Sequence, residues 1–230
     1  GRSKIRNLFL EKTNFNSLLF LDCDCSIPSS NFISKYCENI KKDVVYGGRN
    51  HFKTKPSDEK IILRWKYGII REDLSYSERL LSPYLSFRSN NFMVKKQLLE
   101  LYHFDESINT YGHEDTLFAL QLQKGKIIIH HIENPVIHEG LENNLDFINK
   151  TKSSVENLND ILNNGNFELT KIKLLKTYES LKKFKLIFLM TLFTPFIIDY
   201  CHKKLLVKNP KIFWLDIYKL FYLIKLRDDV

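Results

Sequence analysis

One stretch constrains this chain more than any other. The short run Ser17-Leu18-Leu19-Phe20-Leu21-Asp22 is apolar until it stops abruptly at Asp22-Cys23-Asp24. So short an apolar run has the pattern of a strand buried on both faces. In open α/β sheets ligands collect beyond the carboxyl ends of the strands, which is where this acidic pair falls. Two carboxylates one residue apart point the same way if the chain stays extended. Burying one of them unpaired costs several kcal/mol. A divalent cation removes that cost and bridges a carboxylate to a diphosphate, and hard oxygen ligands suit Mg²⁺ or Mn²⁺. The competing reading is that one aspartate caps the turn and the other is solvated.

The rest of the chain alternates strand and helix before turning wholly helical. A helix over Ile5–Glu11 precedes the acidic strand. Pro28-Ser29-Ser30 opens a helix over Asn31–Ile40. Val44-Val45-Tyr46 reads as a strand ended by Gly47-Gly48. Tyr84–Arg88 and Phe92–Val94 read as short strands around Ser89-Asn90-Asn91, and Lys95–Leu101 as a helix. Glu114–Lys124 is a helix with Gly125 as its C-cap. Lys126–His131 and Pro135–His138 are extended. Helices over Phe147–Leu162, Thr170–Tyr200 and Ile212–Lys225 follow. The pattern predicts an α/β domain over residues 1–144 and a helical C-terminal region over 145–230.

The formal net charge of +8 suits an anionic partner: a nucleotide diphosphate, an acidic membrane surface or a nucleic acid. Lysine-rich composition alone explains it as well. No zinc-finger, RNP or helix-turn-helix signature supports nucleic-acid binding. The four cysteines, Cys23, Cys25, Cys37 and Cys201, lack zinc-site spacing and read as reduced thiols, which places the protein in the cytoplasm. The most apolar run, Leu186–Ile198, contains Pro195 and is too short to span a bilayer. Lys182, Lys183 and Lys185 precede it, and His202, Lys203 and Lys204 follow. Packing on the domain is the first reading; peripheral contact with the inner face of a membrane is the second.

Several further side chains suit an anionic ligand on their own chemistry. Arg2 and Arg6 offer planar bidentate donors to phosphate, although a solvated helix face explains Arg2 equally. Gly47 and Gly48 let the backbone approach a ligand. Asn90 and Asn91 suit a tight turn. Arg64-Trp65-Lys66-Tyr67, with Arg71, Glu72 and Arg79, mixes rings with cations and reads either as the mouth of a site or as a packed surface helix. Glu114 and Asp115 open a helix, where acidic residues complement the macrodipole.

Phe20-Leu21-Asp22-Cys23-Asp24, with a helix after Pro28, resembles the DxD strand of GT-A-fold glycosyltransferases. Tyr46-Gly47-Gly48-Arg49, Phe87-Arg88-Ser89-Asn90-Asn91-Phe92, Phe104-Asp105-Glu106, Tyr111-Gly112-His113-Glu114-Asp115-Thr116 and Asn134-Pro135-Val136-Ile137-His138 follow in the order of family 2 members. Arg2–Asn7 resembles the basic helix ahead of the DxD strand. The resemblance covers about Gly1–Leu145. It implies a GT-A-like, Rossmann-like mixed sheet flanked by helices. Family members begin with a strand, a helix and a second strand that shape the nucleobase pocket, and by this likeness the sequence starts after them.

The resemblance implies an inverting transfer from a nucleotide-sugar donor, with Asp115 as the general base and Glu114 orienting the acceptor or the helix end. Asp22, Asp24 and His138 would hold Mn²⁺ or Mg²⁺. Arg2, Arg6, Asp22, Asp24, Gly48, Asn90 and Asn91 would contact the donor. The donor is expected to be UDP-linked, carrying a hexosyl or N-acetylhexosaminyl group. The acceptor is expected to be a growing glycan or its lipid-linked precursor, as in polysaccharide biosynthesis. A non-catalytic nucleotide- or carbohydrate-binding module is the alternative. The chemistry requires Asp24 and Asp115 to share one cleft.

Overall fold

The structure is a computed structural model describing residues 1–108, 111–164 and 171–228. In chain order the elements are α1 (Arg2–Lys12), β1 (Ser17–Leu21), β2 (Cys25–Ser26), α2 (Phe32–Glu38), β3 (Val44–Tyr46), β4 (Arg49–Asn50), α3 (Ile62–Tyr67), α4 (Tyr76–Leu81), β5 (Asn91–Lys95), α5 (Lys96–Leu101), α6 (Glu114–Lys124), β6 (Ile129–His131), β7 (Val136–His138), α7 (Asn144–Asn163), α8 (Lys173–Lys183), α9 (Ile187–Thr191), α10 (Thr194–Leu205) and α11 (Ile212–Asp228). A π-helical turn, Gly68–Glu72, follows α3. The protein is mixed α/β and divides into two compact units.

The first unit takes Gly1–Thr54, the segment that starts at Gly68, and Glu114–Leu141. Its larger sheet has the order β1-β5-β3-β6. β5 runs antiparallel to β1 and β3, and β6 runs parallel to β3. The carboxyl ends of β1, β3 and β6 therefore lie along one edge. A smaller sheet, β2-β7-β4, continues from that edge and pairs Cys25 with His138. Phenylalanines fill the core: Phe20 stacks on Phe92 at 4.9 Å between ring centroids, and Phe104 stacks on Phe118 at 4.3 Å. This layer ties β1, β5, α6 and the chain after α5 together.

Three local expectations need correction. β1 is not buried on both faces: Leu18 and Phe20 are buried, while Leu21 at its end is exposed. An antiparallel neighbour leaves such a strand free to alternate. Residues 83–86 form a turn rather than a strand, held by the Ser86 hydroxyl donating to the carbonyls of Arg79 and Ser82 at 2.9 Å each. At the end of α6 the left-handed residue is Lys126 (φ 58°), one beyond Gly125. Gly125 is small because the Tyr102 hydroxyl occupies the place of a Cβ.

The second unit takes Lys55–Tyr67, a short piece ending at His113, and Glu142–Val230. α11 is its axis, with α7, α8, α9 and α10 packed on it. Leu63, Phe147, Ile148, Cys201, Leu205 and Leu215 form the core. The helix expected over Thr170–Tyr200 is broken, and its first residue lies outside those described. Lys185 turns left-handed (φ 57°) between α8 and α9, and Pro195 sits in the first turn of α10. Proline suits a first turn because its missing N–H has no helical partner there. The described residues contain no helix long and apolar enough to cross a membrane.

A candidate acid–base site at the strand ends

The site is built where β1 and β3 end beside the start of β5. The Asp22 amide donates to the Asn90 carbonyl at 3.0 Å, and the Gly47 amide to the Asn91 carbonyl at 3.1 Å. These bonds carry the sheet pairing one residue past β1 and β3, so the acidic pair starts where regular pairing stops.

Helix α1 brings a buried guanidinium to that point. The Asn7 side chain copies a backbone pair with Phe104, donating to its carbonyl at 2.9 Å and accepting from its amide at 3.1 Å. With α1 fixed this way, Arg6 lies over the Phe104 ring at 5.3 Å. Its Nη2 stands 3.5 Å from Asp22 Oδ1 and its Nη1 3.6 Å from Glu114 Oε1. Arg2 reaches the same Glu114 oxygen at 3.6 Å from a more exposed position. One member of each acid pair, Asp22 after β1 and Glu114 at the start of α6, thus shares this one cation. Burial raises the Asp22 carboxyl above its usual range, and Arg6 opposes that. Glu114 is raised by burial first and by neighbouring Asp115 second.

Asp115 is more open, with 20% of its side chain exposed. Its Oδ1 accepts from the Thr116 amide at 2.7 Å, and its Oδ2 faces Arg88 Nε at 4.0 Å. Arg88 is itself anchored, donating to the carbonyls of Leu85 at 3.0 Å and Phe87 at 2.6 Å. Arg49 interacts electrostatically with Asp22 and with Arg88, so its charge is felt on both sides of the site.

Asp24 lies in the crossing to β2, with 45% of its side chain exposed. Its carbonyl accepts from the Glu139 amide at 2.9 Å, and its Oδ2 is 3.3 Å from His138 Nε2. These two atoms are as close as adjacent ligands around one small cation, for which metal–ligand distances are about 2.1 Å. The carboxylate suits Mn²⁺ or Mg²⁺, and the imidazole is a less usual ligand for cations that hard. Asp22 does not complete the set, because its carboxylate is turned to Arg6. Among the described residues no group of three or more His, Cys, Asp or Glu side chains is arranged to hold a metal.

Two residues expected at the donor have structural work instead. Asn91 is fully buried: its amide donates to the carbonyls of Gly48 at 2.8 Å and Asn134 at 2.9 Å, and its oxygen accepts from the Tyr36 hydroxyl at 2.6 Å. Every polar atom of that side chain is spent on joining β3, β5 and α2. Gly48 is needed for its positive φ of 96°, and a Cβ there would meet the Arg79 guanidinium at 2.5 Å rather than a ligand. Arg79 is correspondingly a core residue, lying 5.3 Å over the Tyr46 ring and donating to the Ile132 carbonyl at 2.9 Å. Arg64 is likewise buried, pairing with Glu142 at 3.1 Å within the second unit. Asn90 keeps its place in the turn, and its amide lies beside the Cys25 thiol, which burial and Asp24 push up to about 12. All four cysteines are free thiols. We expect Tyr36→Phe, which strands the Asn91 oxygen, to destabilise the fold by about 1–3 kcal/mol in chemical denaturation.

A second layer behind His138 was not visible in the sequence. His51 is buried and packs edge-on to the His138 ring at 5.3 Å. Its Nδ1 is 2.6 Å from Asp73 Oδ1, and its Nε2 is 3.4 Å from Glu72, which also meets Arg49 at 2.9 Å. Burial alone would raise the Asp73 carboxyl; hydrogen bonds from His51 and Lys53 hold it below its usual range. In the second unit, Gly112 (φ 103°) and His113 (φ 74°) are both left-handed, and Ser154 bonds His113 Nε2 at 3.1 Å. A glycine and a left-handed histidine in succession redirect the chain immediately before Glu114.

The fold and site thus define a mixed α/β protein with an arginine-bridged acidic cluster at its strand ends. No protein family and no curated protein matches this sequence. Among solved structures it is similar to S. aureus TarS 1–349, at a TM-score of 0.37 and 14% identity, over 100% of this chain and 72% of that one. A likeness of that size leaves function to be argued from the site.

Proposed function

We propose that the protein transfers a sugar, with inversion, from a UDP-linked donor to a hydroxyl of a glycan or lipid-linked glycan, on a GT-A-like domain ending near residue 144. The observation that carries this reading is the fork of Arg6 between Asp22 and Glu114 at 3.5 and 3.6 Å, which joins one member of each acid pair through one guanidinium. The order of the motifs from Arg2 to His138 supports it.

In this reading Asp24 and His138 would hold Mn²⁺ or Mg²⁺. The cation, when bound, neutralises charge on the departing diphosphate. Arg2, Arg6 and Arg49 offset part of the negative charge of Asp22, Glu114 and Glu72 that an anionic donor would otherwise meet. Asp115 accepts the proton of the acceptor hydroxyl as that oxygen bonds to the anomeric carbon and the bond to the diphosphate oxygen breaks. Positioned proton transfer of this kind is worth about 10²–10⁴ in rate. Arg88 faces Asp115 at 4.0 Å, and buried Glu114 fixes the helix end by its ion pair with Arg6.

Calorimetric titration of Mn²⁺ in the presence of UDP tests the metal assignment apart from turnover. We expect His138→Ala and Asp24→Ala each to weaken binding by roughly tenfold or more, about 1.4 kcal/mol. Unchanged Mn²⁺ affinity in both would refute it. Donor hydrolysis or transfer that requires Mn²⁺ and is lost in EDTA would support the enzyme. Tight UDP binding with no turnover on any acceptor would favour a binding module.

A further inference from the structure

We propose that the segment from Phe184 to Tyr200 is a docking face for an anionic lipid bilayer. The inference stands on the second unit alone and does not depend on the reaction proposed above.

Along α9 and α10 large apolar side chains stand exposed at every fourth position, Phe188 at 75%, Leu192 at 63%, Phe196 at 76% and Tyr200 at 48%, and Phe184, at 68%, stands beside them across the left-handed Lys185. Residues three to four apart lie on one face of a helix. Leu192 and Phe193, which join α9 to α10, keep right-handed helical dihedrals, so the stripe continues across the junction. The opposite face is already satisfied. Thr194, Cys201 and Leu205 of α10 are buried, and Cys201 and Leu205 belong to the core built with Leu215 of α11. α9 buries none of its residues. The exposed stripe is therefore apolar surface beyond what the core needs, and contiguous patches of this kind mark interaction sites.

Charge selects the partner. Between residues 182 and 204 the sequence has Lys182, Lys183, Lys185, Lys203 and Lys204 against Asp199 alone, a net charge of 5 − 1 = +4. Asp199 is itself paired with Lys203 at 2.6 Å. The cations stand at the two ends of the stripe and not within it. Lys185 holds the left-handed turn before α9, where glycine is the usual residue, so a charge marks the edge of the apolar face. Apolar side chains between basic borders suit the headgroup layer of an anionic bilayer, where phenylalanine and leucine enter the acyl boundary and lysines meet phosphates. Among the described residues no helix is long and apolar enough to cross, which makes the contact a surface one.

The test is sedimentation of the whole chain with phosphatidylcholine vesicles, with and without phosphatidylglycerol. We expect partitioning to the phosphatidylglycerol vesicles and much less to phosphatidylcholine alone. A Phe188→Ser/Leu192→Ser/Phe196→Ser variant should lose binding roughly tenfold or more. Lys182→Gln/Lys183→Gln/Lys185→Gln should lose about fivefold per lysine. Because all six side chains lie outside the core, circular dichroism should be unchanged in both variants. No partitioning of the wild type, or equal partitioning of both variants, overturns the proposal. So does a wild-type dimer in sedimentation velocity that becomes monomeric in the serine variant without any vesicle binding, which would assign the face to a second copy of the chain.

Discussion

Asp115→Asn is expected to leave the protein folded and able to bind its donor, and to lower transfer by about 10²–10⁴-fold. The fold should survive because the side chain does little structural work. An asparagine oxygen still accepts from the Thr116 amide, as Asp115 Oδ1 does at 2.7 Å. The ion pair with Arg88 is long, at 4.0 Å, and Arg88 is 34% exposed, so its loss costs well under about 1 kcal/mol. An amide cannot accept the proton of an attacking hydroxyl at neutral pH. The loss should appear in kcat, with donor affinity nearly unchanged, because the interaction forms only as the proton moves. Glu114→Gln is the informative partner. Glu114 is buried against Arg6, so its replacement should act through stability and donor affinity more than through the pH profile of kcat. Near-normal turnover by Asp115→Asn on any acceptor would remove Asp115 as the base and with it the proposed reaction.

Arg6→Met is expected to destabilise the first unit by roughly 3–5 kcal/mol, toward the lower end because Asp22 is partly in water. Methionine keeps the stem and its contact with Phe104 but deletes the charge shared by Asp22 and Glu114. Both carboxyls are already raised by burial. Without Arg6 they should rise further, and their protonated forms would be the ones compatible with folding. For a carboxyl raised in the folded state, stability is greatest below its unfolded value and falls as pH climbs toward the folded one. The deficit of Arg6→Met should therefore shrink at acid pH and be largest at neutral pH, as read from urea unfolding across that range. A pH-independent deficit would mean that Arg6 acts by packing alone. Arg6→Lys should recover part of the charge but not the fork, since an ammonium is a single point charge.

What could be read in advance followed distance along the chain. β1, β3, β5 and α6 were legible because their patterns are written in consecutive residues, and the acidic pair was legible because β1 ends on it. Helix α6 begins at Glu114 and ends at Lys124, as its periodicity predicts. The break between α8 and α9 was not legible, because a lysine occupies the left-handed position and no glycine announces it. Asn90 and Asn91 look interchangeable in the sequence. The register of β5 turned Asn91 inward onto Tyr36, a residue 55 positions away, and left Asn90 in the turn.

By itself, then, the sequence determined the local elements, the two acid pairs and the succession of motifs around them. Tertiary structure decided that Arg6 lies between those pairs, that Asp22 turns to Arg6 while Asp24 turns to His138, and that His51 and Asp73 stand behind. It also filled the space at Gly48 with Arg79. The physical reason is that backbone periodicity depends on neighbours in sequence. A buried charge is placed by whichever opposite charge the packed sheets bring within reach, and no local pattern carries that information.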